Sequence, residues 1–213
     1  MTPVRLLLAR HGETAWNRAG IYQGRSDPPL SPIGAAQARE LGARLRRAGV
    51  GLIVSSPLCR AQDTALAVGD ALGLPIRHDE RLAEISFGAW EGMTQPDIKR
   101  RWPELLRQWK HAPAEMRFPG GETLVEARHR LRDFLRHPPW EDGNPPDVAL
   151  VVTHAAIIRI ARLEAEQRPL AAFREVNVAP ASVYRCRLVV RRLLAAPEYQ
   201  AASATADAPP APE

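Results

Sequence analysis

Lysine is nearly absent from this 213-residue sequence: Lys99 and Lys110 stand alone, and every other basic side chain is arginine. That bias follows from genomic base composition as readily as from function. Cysteine is scarcer than a covalent framework requires. Cys59 and Cys186 alone make neither a disulfide scaffold nor a zinc site, and both read as small buried hydrophobes. No apolar run approaches the roughly 20 residues of a membrane span. The opening "MTPVRLLLAR" is too short in apolar residues for a secretory signal and has no small-residue cleavage pattern. These absences predict a cytoplasmic protein without a membrane partner.

What is present is ordinary for a globular chain, with 45% hydrophobic and 25% charged residues. The length allows one sizeable core. A net charge of +5 and a pI near 9.8 favour an anionic partner. A nucleic acid is not indicated, because no stacking-aromatic strand, basic arm or zinc motif accompanies the charge.

Three apolar runs, Val4–Ala9, Gly51–Val54 and Val148–Val152, read as buried strands. Helices follow each of them. Ser31 caps one, with Pro32 at its first position and Gly49 beyond its end. In the next, the same grammar predicts Ser56 as cap, Pro57 as first residue and Gly73 as terminator, with Leu58, Ala61, Ala65, Val68 and Leu72 on the apolar face. A third helix begins after His154. Strands alternating with helices predict an α/β fold, a doubly wound, mostly parallel sheet flanked by helices. "SVYRCRL" alternates as a half-buried strand, antiparallel at an edge. The domain is expected over 1–196, with an inserted helical cap at about 88–122 whose tryptophans serve mainly as cap core. Residues 197–213, rich in Ala and Pro, are expected to be a disordered tail.

In an open α/β sheet, ligands bind beyond the carboxyl ends of the strands. Each buried run delivers polar groups there: Arg10 and His11, then Ser55 to Arg60, then Thr153 and His154. Arginine forks suit phosphate oxygens, and Arg60 lies near the positive end of its helix. A neutral imidazole is a competent nucleophile toward phosphorus, and Gly12 beside His11 lets the backbone come close. No Cys/His/Asp grouping suggests a metal, and no cofactor is implied.

"RHGETAWN" at 10–17, "SSPLCRAQDTA" at 55–65, "LAEISFGAWEG" at 82–92, "PGGETL" at 119–124 and "VVTHAAIIR" at 151–159 together resemble the histidine phosphatase superfamily, also called phosphoglycerate mutase-like. The motifs run to about residue 190. The resemblance implies that His11 becomes transiently phosphorylated, that Arg10, Arg60 and His154 hold the phosphoryl oxygens, and that Glu84 is the acid and base. It implies substrate contacts from Asn17, Thr14, Gln23 and Gly24, with helix capping an equal alternative for Thr14. Ala155 stands where many relatives carry Gly and retains its backbone amide. The remaining histidines, His78, His111, His129 and His137, match no motif and read as surface residues.

Leu82-Ala83-Glu84-Ile85-Ser86-Phe87-Gly88 is similar to the phosphatase branch, including α-ribazole phosphatases and broad-specificity monoesterases. Ile85 replaces the basic residue that a second phosphate would need. The implied activity is metal-independent hydrolysis of a small phosphorylated metabolite; cofactor-dependent phosphoglycerate mutase chemistry is the alternative. A binder without catalysis would lose His11 or Glu84, and both are present. The cap is expected to gate access and set which alcohol fits, with Lys99, Arg100, Arg101 and Arg107 read as a solvated face.

Overall fold

The computed structural model describes residues 3–139, 145–189 and 192–195. The strands are β1 (Val4–Arg10), β2 (Leu52–Ser55), β3 (Ile76–His78), β4 (Val148–Thr153), β5 (Val183–Val189) and β6 (Arg192–Ala195). The helices are α1 (Ala15–Arg18), α2 (Pro32–Leu45), α3 (Cys59–Leu72), α4 (Gln95–Arg101), α5 (Pro103–His111), α6 (Leu124–Arg136) and α7 (Ala155–Ala165).

The six strands form one sheet in the order β3-β2-β4-β1-β5-β6. The four strands from β3 to β1 are parallel, and β5 and β6 are antiparallel additions. Strand periodicity divides the core in two. Leu6, Leu8 and Val151 point to one face, which α6, α7 and the 88–122 segment cover. Leu7, Ala9 and Leu150 point to the other, against Leu41 and Leu45 of α2 and Ala61, Ala65 and Val68 of α3. Every residue of β4 is buried, as its unbroken apolar run requires of a strand covered on both sides.

Local chemistry sets the helix ends. Ser31 Oγ accepts from Gly34 N at 3.0 Å, with Pro32 first in α2, and Gly73 closes α3 in the left-handed conformation at φ 68°. The Ser56 prediction fails: α3 begins at Cys59, with Leu58 in the capping position and no side-chain cap bond. Ser56 Oγ lies instead 2.7 Å from His154 Nε2. Two further expectations are corrected. β5 is one strand in from the edge, because β6 pairs along its outer side. Cys59 is only half-buried, whereas Cys186 is buried.

Within 88–122 the chain forms α4, α5 and short 3-10 turns. Trp90 and Trp109 are buried in the larger core cluster, and Phe118 packs edge-on to both at 5.1 and 4.9 Å. Lys99, Arg100 and Arg101 are exposed, and Arg100 and Arg107 pair with Asp97 and Glu104 of their own helices. His78, His111, His129 and His137 are all exposed. The segment 197–213 lies outside the described residues. Among the described residues, no helix is long and apolar enough to cross a membrane.

Candidate active site

Register brings the chemistry together. Arg10 at the end of β1 is paired with Thr153 at the end of β4, and Ser55 of β2 with Val152. Just beyond these carboxyl ends lies a cavity of about 240 Å³, lined among others by Arg10, His11, Asn17, Gln23, Gly24, Arg60, Glu84 and Ala155. A second cavity, at the opposite ends of β1 and β4, is lined by Pro3, Arg5, Asp147 and Arg187 and contains none of the motif residues.

His11 is 3% exposed. Its Nδ1 lies 2.7 Å from the Gly12 carbonyl, which accepts the Nδ1 proton. That contact fixes the tautomer and leaves Nε2 as a bare lone pair. The carbonyl is itself immobilised. Gly12 N donates to Thr64 Oγ1 at 3.0 Å, and a Cβ on Gly12 would come within 2.4 Å of Gly34 O, so the segment is clamped between α2 and α3. Burial, and then the charges of Arg10 and Arg60, hold the His11 pKa well below its ordinary value. The imidazole is therefore neutral at physiological pH.

Arg10 donates to Val178 O at 2.6 Å, and burial lowers its pKa to about 10, where it remains charged. Arg60 is 1% exposed, in the first turn of α3. It donates to Gly24 O and Ser26 O, both at 2.8 Å, with Asp27 at 3.7 Å. Each guanidinium retains free N–H groups. Gly24 keeps φ at +55°, and a side chain there would strike Glu91 Oε1 at 2.3 Å.

Glu84 is 7% exposed. Its Oε1 accepts from Ile85 N at 3.0 Å, and its Oε2 faces Ala156 N at the start of α7 at 3.4 Å. Arg25 Nε donates to the Glu84 carbonyl at 2.8 Å. His154 is fully buried beside His11, with ring centroids 5.1 Å apart. Burial foremost, then Arg60 and His11, lowers its pKa well below the ordinary value. With Nε2 on Ser56, its Nδ1 has no partner among the described residues.

Thr14 and Asn17 form a capping box. Thr14 Oγ1 accepts from Asn17 N at 3.1 Å, and Asn17 Oδ1 accepts from Thr14 N at 3.0 Å. Thr14 Oγ1 is thus engaged in the cap, and Thr14 is not among the residues that line the cavity. The same cap consumes Asn17 Oδ1 and leaves the Nδ2 donors as the free end of the amide. Gln23 lines the cavity with a buried, unpartnered Oε1.

Sequence reasoning missed the far wall: Tyr22, Phe87, Gln95, Trp109, Arg159 and Phe173. Arg159 closes the "VVTHAAIIR" motif, and its position one helical turn beyond Ala155 was the available signal. The basic residues of α4 and α5 do not line the cavity; Gln95 and Trp109 are what those helices contribute. Among the described residues, no group of three or more His, Cys, Asp or Glu could hold a metal ion.

The family model of the histidine phosphatase superfamily (branch 1) matches residues 6–192. The chain belongs to this superfamily. Phosphoserine phosphatase 1 of Hydrogenobacter thermophilus is 37% identical over 156 residues, 73% of either chain. The solved mycobacterial glucosyl-3-phosphoglycerate phosphatase in complex with VO3 is similar at 31% identity and a TM-score of 0.76, covering 86% of this chain and 90% of that one. The α-ribazole phosphatase of Shigella flexneri gives 27% identity and a TM-score of 0.78, covering 91% and 95%. Relatives bearing a phosphoglycerate mutase name match over 62% of the chain.

Proposed function

We propose that this histidine phosphatase superfamily member is a metal-independent phosphomonoesterase that hydrolyses a small phosphorylated metabolite through phosphohistidine at His11. One observation carries the reading: the buried, neutral His11 ring is locked by Gly12 in the tautomer that bares Nε2, between two cationic arginines. The names of the relatives above support phosphatase rather than mutase chemistry.

In the first step the Nε2 lone pair attacks phosphorus in line, and the bond from phosphorus to the ester oxygen breaks. Glu84 gives its proton to the departing oxygen. Arg10, Arg60, Asn17 Nδ2 and the Ala155 amide at the start of α7 hold the equatorial oxygens, and the helix dipole adds to their field. With Ser56 Oγ donating to Nε2 of His154, the His154 proton lies on Nδ1, a further donor for the same group. In the second step water attacks the phosphohistidine, Glu84 accepts the water's proton, and the N–P bond breaks to restore neutral His11.

The test is phosphate release in EDTA from a panel of phosphomonoesters, comparing the wild type with His11→Ala. Release by the wild type alone is the expected result. Equal release by both proteins, or a strict demand for added metal, would refute the proposal.

A further inference from the structure

Resting on the phosphatase reading, we propose that the far end of this cavity is a carboxylate subsite built on Arg159, so that preferred substrates are phosphomonoesters of short hydroxy acids. Arg159 lines the same cavity as His11 and Glu84. It sits on α7 four residues after Ala155, a rise of about 6 Å from the helix start where the phosphoryl group would lie. A leaving group of two or three carbons spans that rise.

Arg159 differs from the half-buried arginines around it on α6 and α7. Arg128 and Arg132 face Glu164, Arg130 is paired with Glu122, and Arg162 with Glu166. Arg159 has no ion pair among the described residues, and its Nε is buried without a partner. Its guanidinium lies 5.2 Å over the ring of Phe173, which holds it by a cation–π contact and leaves its hydrogen-bonding edge uncommitted. Glu84 is the carboxylate nearest in electrostatic effect, but its oxygens are directed to Ile85 N and Ala156 N. The Arg159 Nε is thus a buried donor without a partner, a costly state that an anionic ligand relieves.

The surroundings suit a small acid. Tyr22, Phe87, Trp109 and Phe173 form the walls, with Phe87 edge-on to Tyr22 and Trp109 and Phe173 tilted against Trp109. They limit the size of the group and lower the local dielectric, which strengthens a fork-to-carboxylate contact. Arg174, exposed near Arg159 and Tyr22, adds positive potential on that side.

The experiment compares kcat/KM in EDTA for pairs of esters that differ at the carboxylate: O-phosphoserine against O-phosphoethanolamine, and 3-phosphoglycerate against glycerol 3-phosphate. The wild type should favour the acid of each pair about 10- to 100-fold, the range of one charge-assisted hydrogen bond set. In Arg159→Met the ratio should collapse to within about threefold of unity, with Arg159→Lys between. Each ratio is internal to one protein sample, so partial misfolding scales both rates alike. A wild-type ratio near unity, a ratio that survives in Arg159→Met, or a preference for p-nitrophenyl phosphate over every acid would overturn the subsite while leaving the phosphatase intact. No release from any ester would sink both.

Discussion

Glu91 is not itself among the residues that line the cavity, yet its removal should damage both stability and turnover. Its Oε1 accepts from Arg25 N at 3.1 Å, Phe87 N at 3.0 Å and Ser86 Oγ at 3.3 Å. Its Oε2 accepts from Ser26 N at 2.9 Å and Ser26 Oγ at 3.0 Å. One carboxylate thereby ties the 23–27 loop to the 84–88 loop. The first loop supplies the Gly24 and Ser26 carbonyls that aim Arg60, and the second carries Glu84. A hydrogen bond to a charged group contributes about 1.5–3 kcal/mol. Glu91 is only half-buried and water would replace some partners, so Glu91→Ala should cost about 3 kcal/mol in all rather than the sum. For a chain of this size that is a fall in Tm of about 6–12 °C. Loosening Arg60 and Glu84 together should lower kcat/KM by about 100-fold, the scale of a small misplacement of catalytic groups. Glu91→Gln should fall between, because its NH2 would confront donors on one side. Thermal unfolding and steady-state kinetics on the three proteins are the assay. A Tm within 2 °C of wild type together with kcat/KM within about threefold would refute the reasoning.

Two more outcomes follow from the site. Glu84→Gln should slow turnover by about 10²- to 10⁴-fold at unchanged fold, the usual reach of general acid–base catalysis; near-wild-type rates would remove Glu84 from the chemistry. His11 and His154 have folded pKa values depressed below the ordinary 6.5, so between those values and 6.5 the unfolded chain binds more protons. Stability should then be level above about pH 6.5 and fall as the pH drops below it, and His11→Asn should flatten that slope in urea titrations. A slope of the opposite sign would show that the imidazoles gain rather than lose protons on folding.

Much of the fold was legible because it rests on short-range chemistry. The unbroken apolar runs of β1 and β4 and the Ser-Pro start of α2 announce themselves in sequence. Ser56 misled because Ser-Pro is the same signal wherever it occurs, while here the hydroxyl is claimed by His154, 98 positions away. The place of β5 one strand in from the edge was equally beyond local reading, since it depends on β6 pairing alongside. Site residues at strand ends were legible through topology: a parallel sheet gathers the carboxyl ends of β1, β2 and β4. The wall formed by Tyr22, Trp109, Arg159 and Phe173 was not, because it is assembled from separate segments that meet only where the 88–122 segment packs on α6 and the 170–175 turn. Thr14 illustrates a third case, in which the sequence offered the same hydroxyl to capping and to binding, and the cap is the contact that the structure shows.

The most direct test of the account is a rapid-quench search for phosphoenzyme. Wild type mixed with a labelled phosphomonoester and quenched in base should retain acid-labile, base-stable label on the peptide that contains His11, and Glu84→Gln should accumulate more of it if water attack is the step it slows. Label on another residue, or turnover by the wild type with equal label on His11→Ala, would contradict the claim that His11 is the nucleophile.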